Sequence, residues 1–434
     1  MVWCPSHKPD FLWAERFFFA RHGLRIPAQA GMVVRVLCSR CMDMVSLSPS
    51  SPLIWILAGE ASGDVLGARL MLALRARNPH IRFAGVGGAR MAEAGFESLF
   101  PMRDLAVMGL VEILPRVRQL ARRLDQAVED ISARRPDLVI TIDSPGFALR
   151  LLRRIAGMGV LRVHYVAPQV WAWRQKRVRK FPGLWDELLC LLPFEERFFG
   201  AHGLKTRFVG HPVLQSGAQE GDAARFRARH GVAEGARVLV LMPGSRRSEV
   251  PRLLPVFGRM LALLRTSMPD VVPVVPVSAV VARVVEQAVR NWPVRPVIVT
   301  DVQDKHDAFA AAGAALTKSG TSTLELALAG VPMAVTYRVN PLTAFMARRL
   351  IRVPYVAMVN LLAGRAVVPE LLQENCAPDV LAREVRELFD NPAAAQAQRA
   401  AFASVLHGLE GPGDVLPADA AASAVLDLLG RQGA

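Results

Sequence analysis

From Leu53 onward short apolar runs alternate with amphipathic helical stretches, and few architectures besides a parallel α/β sheet accept that rhythm. The first series of expected strands is Leu53 to Ala58, Phe83 to Val86, Leu138 to Ile142, Arg162 to Val166, Glu187 to Leu192 and Thr206 to Val209. A second series opens at Arg237 to Met242 and continues through Val271 to Val277, Val297 to Thr300, Ala314 to Thr317 and Met333 to Thr336. Between the two lies QSGAQEGDAA, Gln215 to Ala224, whose polar and glycine content reads as a linker. The expected organisation is therefore an extension over 1–50, a Rossmann-like domain over 51–214 and a second over 225–434. Both are doubly wound sheets, in which ligands sit outside the carboxyl ends of the strands, so two of them face to face enclose a cleft. A chain of 434 residues exceeds what one typical core accommodates, which agrees with two domains. No repeat of roughly 20 to 50 residues suggests a solenoid.

A hydrophobic fraction of 52% against 21% charged residues supplies material for sheets buried on both faces. Lys and Arg number 53 and Asp and Glu 38, leaving +15, and such a surplus calls for an anionic partner: a phosphorylated ligand, an acidic membrane surface or nucleic acid. Aromatic residues make up only 7% and do not interleave with a basic stripe, which argues against nucleic acid. Five scattered cysteines do not make a disulfide framework and fit a reducing cytoplasm. Cys38 and Cys41 have CxxC spacing, but no second pair completes a zinc site, so no metal is expected there. No apolar run approaches the roughly 18 residues of a membrane span, and Glu15 and Arg16 interrupt the apolar N-terminal stretch where a signal-peptide core would be. Residues 1–50 read as a poorly ordered leader or as the product of a start upstream of Met32, Met42 or Met44.

The richest segment is AAGAALTKSGTSTLELALAGVP, Ala311 to Pro332. An apolar strand stops at Lys318-Ser319-Gly320-Thr321-Ser322-Thr323 and a helix opens, carrying Glu325 about one turn in. Small and hydroxylated residues at such a turn leave backbone N–H groups free for a diphosphate, and Glu325 is placed to accept hydrogen bonds from a ribose diol. The alternative is an ordinary Ser/Thr N-cap with a capping-box acid. Leu241-Met242-Pro243-Gly244-Ser245-Arg246 repeats the strand-to-turn logic, with Arg246 the choice for neutralising a departing diphosphate.

In the first half, Gly59-Glu60-Ala61-Ser62-Gly63-Asp64 follows the first strand but lacks both the GxGxxG order and the P-loop lysine, so it reads as a sugar or acceptor loop. Glu60 and Asp64 are alternatively plain first-turn helix acids. Asp143, delivered by Leu138 to Ile142, is the candidate base for an attacking hydroxyl, with an Asx-turn as the bland alternative. Gln169, Trp171 and Arg174 join a strand end to the basic run Lys176, Arg177, Arg179 and Lys180, where phosphate or anionic headgroups would relieve crowded charge, unless the run is simply a solvated face. For Trp171 and Trp173 themselves packing in the core is the favoured reading. Leu105 to Leu114, followed by Arg116, Arg118, Arg122 and Arg123, fits in-plane membrane contact, as a buried amphipathic helix also would; Pro341 to Arg352 repeats the pattern.

Taken in order, IWILAGEASGD, DLAVMGLVEILPR, IDSPGF, HYVAPQVWAWRQKRV, LLPFE, FVGHPV, LMPGSRRSEV, SGTSTLELALAGVPMAV and NLLAGR resemble the lipid-A-disaccharide synthase family from about Leu53 to the C-terminus. The resemblance implies a GT-B glycosyltransferase, peripheral on the cytoplasmic face of the inner membrane and working without a cofactor. It would join UDP-2,3-diacylglucosamine to 2,3-diacylglucosamine 1-phosphate with inversion, giving a β-1,6 disaccharide and UDP. It implies Asp143 as base, Glu60 and Ser62 in the acceptor loop, Arg246 on the nucleotide side, Asn360 in NLLAGR, and Glu325 with Ser319 to Thr323 at the UDP site. One departure is that Gly146 stands where the family commonly has a second acid. Other GT-B enzymes, such as a peptidoglycan N-acetylglucosaminyltransferase or a UDP-sugar 2-epimerase, and a basic nucleic-acid or membrane-binding protein are the competing readings. Homo-oligomerisation is left open by the sequence.

Overall fold

The computed structural model describes residues 51–105, 116–246, 249–340, 344–345, 349, 353–413 and 415–431. The expected leader over 1–50, the CxxC pair and most of the Leu105 to Leu114 and Pro341 to Arg352 segments lie outside the described residues.

Among the described residues twelve parallel strands form two six-stranded sheets. The first contains β1 (Leu53–Ala58), β2 (Arg82–Val86), β3 (Leu138–Ile142), β4 (Leu161–Tyr165), β5 (Glu187–Cys190) and β6 (Thr206–Phe208). The second contains β7 (Arg237–Met242), β8 (Val271–Pro276), β9 (Val297–Val299), β10 (Ala312–Lys318), β11 (Met333–Tyr337) and β12 (Glu370–Leu372). All eleven expected strands are present, with ends within about two residues, and β12 is additional. The strands form because their apolar side chains find cover on both faces. In β1, Ile54, Ile56 and Ala58 enter one buried cluster, while Trp55 and Leu57 enter another. Helices supply that cover, as expected of an all-parallel sheet.

The strand orders are β2-β1-β3-β4-β5-β6 and β12-β11-β10-β7-β8-β9. Each reverses direction once, between β1 and β3 in the first sheet and between β10 and β7 in the second. A crevice opens at such a reversal because the two crossover connections leave on opposite faces. The apolar cluster that contains Val139 and Leu188 of the first lobe also contains Val240 and Val335 of the second, so the lobes share a continuous core.

The expected second domain ran to Ala434, but the helix Pro417–Gly430 belongs to the first lobe. Its Ala421, Val425 and Leu428 pack with Ile54, Leu70 and Leu74, and Asp427 pairs with Arg207 of β6 at 2.7 Å. The helix Val117–Arg134 buries only Ala127 and Ile131. Of the four arginines expected to face an anionic surface there, Arg123 instead pairs with Asp104 at 2.6 Å and lies over the ring of Phe100. Among the described residues no helix is long and apolar enough to cross a membrane.

Candidate active site

The loops singled out in the sequence leave the sheets at the two reversal points. Ala58 and Ile142, the last residues of β1 and β3, are register partners, so the Glu60 loop and the Asp143 loop start side by side. Glycine at position 59 is required by that approach, because a Cβ there would collide with the Ser144 hydroxyl. Asp143 and Ser144 both adopt left-handed backbone conformations, with φ of 51° and 45°. Two successive non-glycine residues in that region store strain that a surrounding structure must hold. The Asp143 N–H donates to the Tyr165 carbonyl at 2.9 Å, and Pro145 opens the next helix.

Burial pushes the Asp143 carboxyl above its ordinary value, opposed only by the backbone N–H of Ser144. Glu60 is raised as well, first by burial and then by repulsion from Asp143, while Arg246 of the other lobe acts in the opposite direction. Three candidate residues from three loops and both lobes therefore share one local field. Glu60 stands at the N-cap of the helix Ala61–Arg77, yet its side chain caps nothing.

On the second lobe, Thr317 of β10 is the register partner of Met242 of β7, which sets the Ser319 turn beside Gly244, Ser245 and Arg246. Gly244 has a φ of 104°. Arg246 donates to Glu249 at 3.2 Å, and the same carboxylate pairs with Lys318 at 3.0 Å. Gly320 has a φ of 152°, a conformation other residues rarely adopt. Thr321 sits at the N-cap of the helix Ser322–Leu328 without capping it, so the capping-box alternative is not formed. Both Glu325 carboxylate oxygens lie 3.1 Å from the Lys305 ammonium.

Two cavities meet here. One, of about 450 Å³, is walled by Gly244, Ser245, Arg246, Ser319, Gly320 and Ser322. The other, of about 480 Å³, is walled by Ser62, Asp143, Gln169 and an apolar rim that includes Val65, Leu66 and Leu191. Val302, Lys305, Thr321 and Glu325 line both. The arrangement is a polar chamber with cationic groups opening onto a more apolar chamber that holds a carboxylate with a raised pKa. Such a pair suits an anionic leaving group on one side and an activated hydroxyl on the other.

Several expected contact residues serve the scaffold instead. Asp64 is buried and accepts from Gly88, Arg90 and Met91 N–H groups at 2.8, 2.9 and 3.1 Å, anchoring the helix Ala89–Glu93. Gly63 packs on β3, where a Cβ would lie 3.4 Å from the Ile142 carbonyl. Trp171 is buried and donates its indole N–H to Glu195 at 3.0 Å, in line with the core reading. Asn360 is fully buried, binding Val368 and Glu370 through its amide nitrogen and the Val367 and Val368 N–H groups through its oxygen. Glu370 in turn holds the Val356 and Ala357 N–H groups, and the Ser319 hydroxyl donates to the Val356 carbonyl at 2.6 Å. Asn360 thus acts on the Ser319 turn through two intermediaries. Thr323 points inward and donates to Gly320 at 2.8 Å. Arg174 lies outside both cleft cavities, in a separate cationic one.

Residues missed in the sequence include Lys305, Glu249, Lys318 and His211. Lys305 is near the start of the helix Val302–Ala311, directly after a strand end, and that position was the available signal. His211 is buried, held by burial at about 4, and accepts from the Val213 N–H. It therefore remains neutral at physiological pH.

A sequence model of the lipid-A-disaccharide synthetase family matches residues 54–412. The chain is 65% identical over 384 residues to the lipid-A-disaccharide synthase of Gluconobacter oxydans, covering 88% of this chain and 92% of the relative. It is 63% identical over 392 residues to that of Granulibacter bethesdensis, covering 88% and 100%. The chain belongs to the lipid-A-disaccharide synthase family. Among solved structures, a kitacinnamycin glycotransferase superposes with a TM-score of 0.58 at 16% identity, over 87% of this chain and 99% of that one. The UDP-GlcNAc 2-epimerase of Neisseria meningitidis, solved with UDP-GlcNAc, superposes with a TM-score of 0.58 at 11% identity, over 87% and 100%. These likenesses concern the fold, which is the α/β GT-B arrangement, and the family makes the protein a glycosyltransferase. At Gly146 a Cβ would meet nothing within 4 Å, so the position has room for a side chain. Glu60 is the carboxylate that interacts with Asp143.

Proposed function

We propose that the protein transfers a 2,3-diacylglucosamine unit from its UDP derivative to 2,3-diacylglucosamine 1-phosphate, forming a β-1,6 disaccharide with inversion and releasing UDP. One observation carries the reading: the two switch-point crevices converge so that Glu60 of one lobe feels both Asp143 beside it and Arg246 of the other lobe. In this scheme UDP occupies the polar chamber. Its ribose displaces Lys305 from Glu325, and its diphosphate meets Arg246 and the free N–H groups of the Ser319 to Ser322 turn. The freed Lys305 ammonium remains in the wall shared by the chambers, where it adds positive charge beside the departing diphosphate.

The acceptor sugar occupies the chamber with the apolar rim, which suits its acyl chains. Asp143, ionised but poorly solvated, takes the proton of the 6-hydroxyl as oxygen bonds to the anomeric carbon from the face opposite UDP. The C1–O bond to the diphosphate breaks in the same step, and the electron pair leaves with UDP. Burial keeps the Asp143 pKa raised and so strengthens it as a base. The net charge of +15 and exposed arginines such as Arg122 support work at an anionic membrane surface on the cytoplasmic side.

The test is an assay of the purified chain with both acylated sugars, following product mass and UDP release together. Equal amounts of disaccharide phosphate and UDP are expected. UDP release without the disaccharide, or interconversion of UDP-sugars, would reject this transfer. The epimerase alternative is supported by fold alone.

A further inference from the structure

A third cavity, of about 440 Å³, shares no lining residue with the nucleotide and acceptor chambers and is walled by Trp173, Arg174, Lys176, Arg177, Arg179 and Arg349. We propose that it is a separate binding site for a phosphate group, built from both lobes and independent of the reading of the cleft. Among its lining residues there is no carboxylate. Arginines elsewhere on the surface, such as Arg134, Arg154 and Arg207, are paired with Asp or Glu. None of these five cations has an ion pair among the described residues.

The local fold brings the charges together. Gln175–Lys180 is a 3₁₀ helix, with three residues per turn, so Lys176 and Arg179 fall on the same side. The buried Val178 roots that turn in the core. Two of the guanidinium groups are fixed by aromatic faces: Arg174 stands 4.1 Å from the centre of the exposed Trp173 ring, and Arg349 of the second lobe 4.2 Å from that of Phe345. Stacking occupies the flat faces and leaves the N–H edges free. That geometry suits a tetrahedral dianion, which can accept paired bonds from arginine edges and a point charge from lysine. A solvated basic face needs neither a concavity nor stacked guanidinium groups from two lobes.

A phosphate group could come from an acidic lipid headgroup or from a soluble phosphorylated compound, and two probes separate these sources. Pyrophosphate is titrated calorimetrically into the full chain in the presence of saturating UDP, which fills the nucleotide chamber. Sedimentation with phosphatidylcholine vesicles containing phosphatidylglycerol forms the second arm. The variants are Lys176→Gln/Arg179→Gln and, on the other lobe, Arg349→Gln, with Arg265→Gln as an exposed control outside the cavity; unchanged UDP affinity certifies their folds. Binding of at least one probe should weaken about tenfold or more in both cavity variants and stay within twofold in the control, as loss of charged hydrogen bonds predicts. Loss confined to vesicles assigns the headgroup as source, and loss with pyrophosphate assigns a soluble phosphate. Failure of both probes to bind, or equal weakening in Arg265→Gln, overturns the site.

Discussion

Asp143 combines a strained backbone, partial burial and an acidic neighbour. Its replacement by Asn keeps the shape and removes the base. Turnover of Asp143→Asn should fall about 10²- to 10⁴-fold, while UDP affinity by calorimetry stays within about twofold. Near-normal kcat would remove Asp143 from the reaction. Because burial raises its pKa, wild-type kcat/KM should decline as pH falls through that raised value, and this acid limb should vanish in the variant. Glu195 offers a second titration. Burial pushes it up to about 7, against the opposing Trp171, Leu192 and Leu191 donors. The folded state then holds a proton that the unfolded chain has lost, so this residue's contribution is full below about 4.5 and declines until about 7. Glu195→Gln should flatten that part of the stability curve in urea melts at several pH values; an unchanged slope would refute the assignment.

At the scale of elements, strands were the most legible part of the sequence, because a run such as LVITI in β3 is buried on both faces and has no competing pattern. The exception, β12, has three half-buried residues, one of which is the Glu370 that clamps its neighbours. Strand-end loops were legible for the same reason as the strands. Asp64 and Asn360 were not, since a carboxylate in a glycine-rich loop gives no sign that its partners lie 24 to 27 residues on. Lys305 was missed because its partner Glu325 sits on a different helix. The return of the helix Pro417–Gly430 to the first lobe had no local signal either, its Ala-rich face fitting many surfaces. Each buried Val or Leu contributes ~1.5–3 kcal/mol, so ending the chain before Pro417 should lower the melting temperature measurably. A truncated protein melting like the full chain would show that the helix is dispensable.

For the whole molecule, the ligand is the main lever on stability. UDP at about 100 times its Kd should add ~2.7 kcal/mol, visible as a shifted denaturant midpoint that is lost in Arg246→Ala. No shift with UDP in wild type would contradict the nucleotide chamber. The chain passes between the lobes twice, at Gly210 and again near Gly411, and the passages touch: His211 N–H donates to the Leu409 carbonyl at 2.9 Å. Gly210 has a φ of 84°, and a Cβ there would lie 2.8 Å from the Gly411 nitrogen. Gly210→Ala should therefore destabilise the protein by at least ~1 kcal/mol in urea melts, and a neutral effect would show that this crossing tolerates bulk.

Those adjoining passages act like two pins of one door. Swinging the halves about them needs only a few bond rotations, whereas sliding one half past the other would tear both threads from their seats. Any widening of the cleft should therefore be a rotation about the two crossings and not a shear across them.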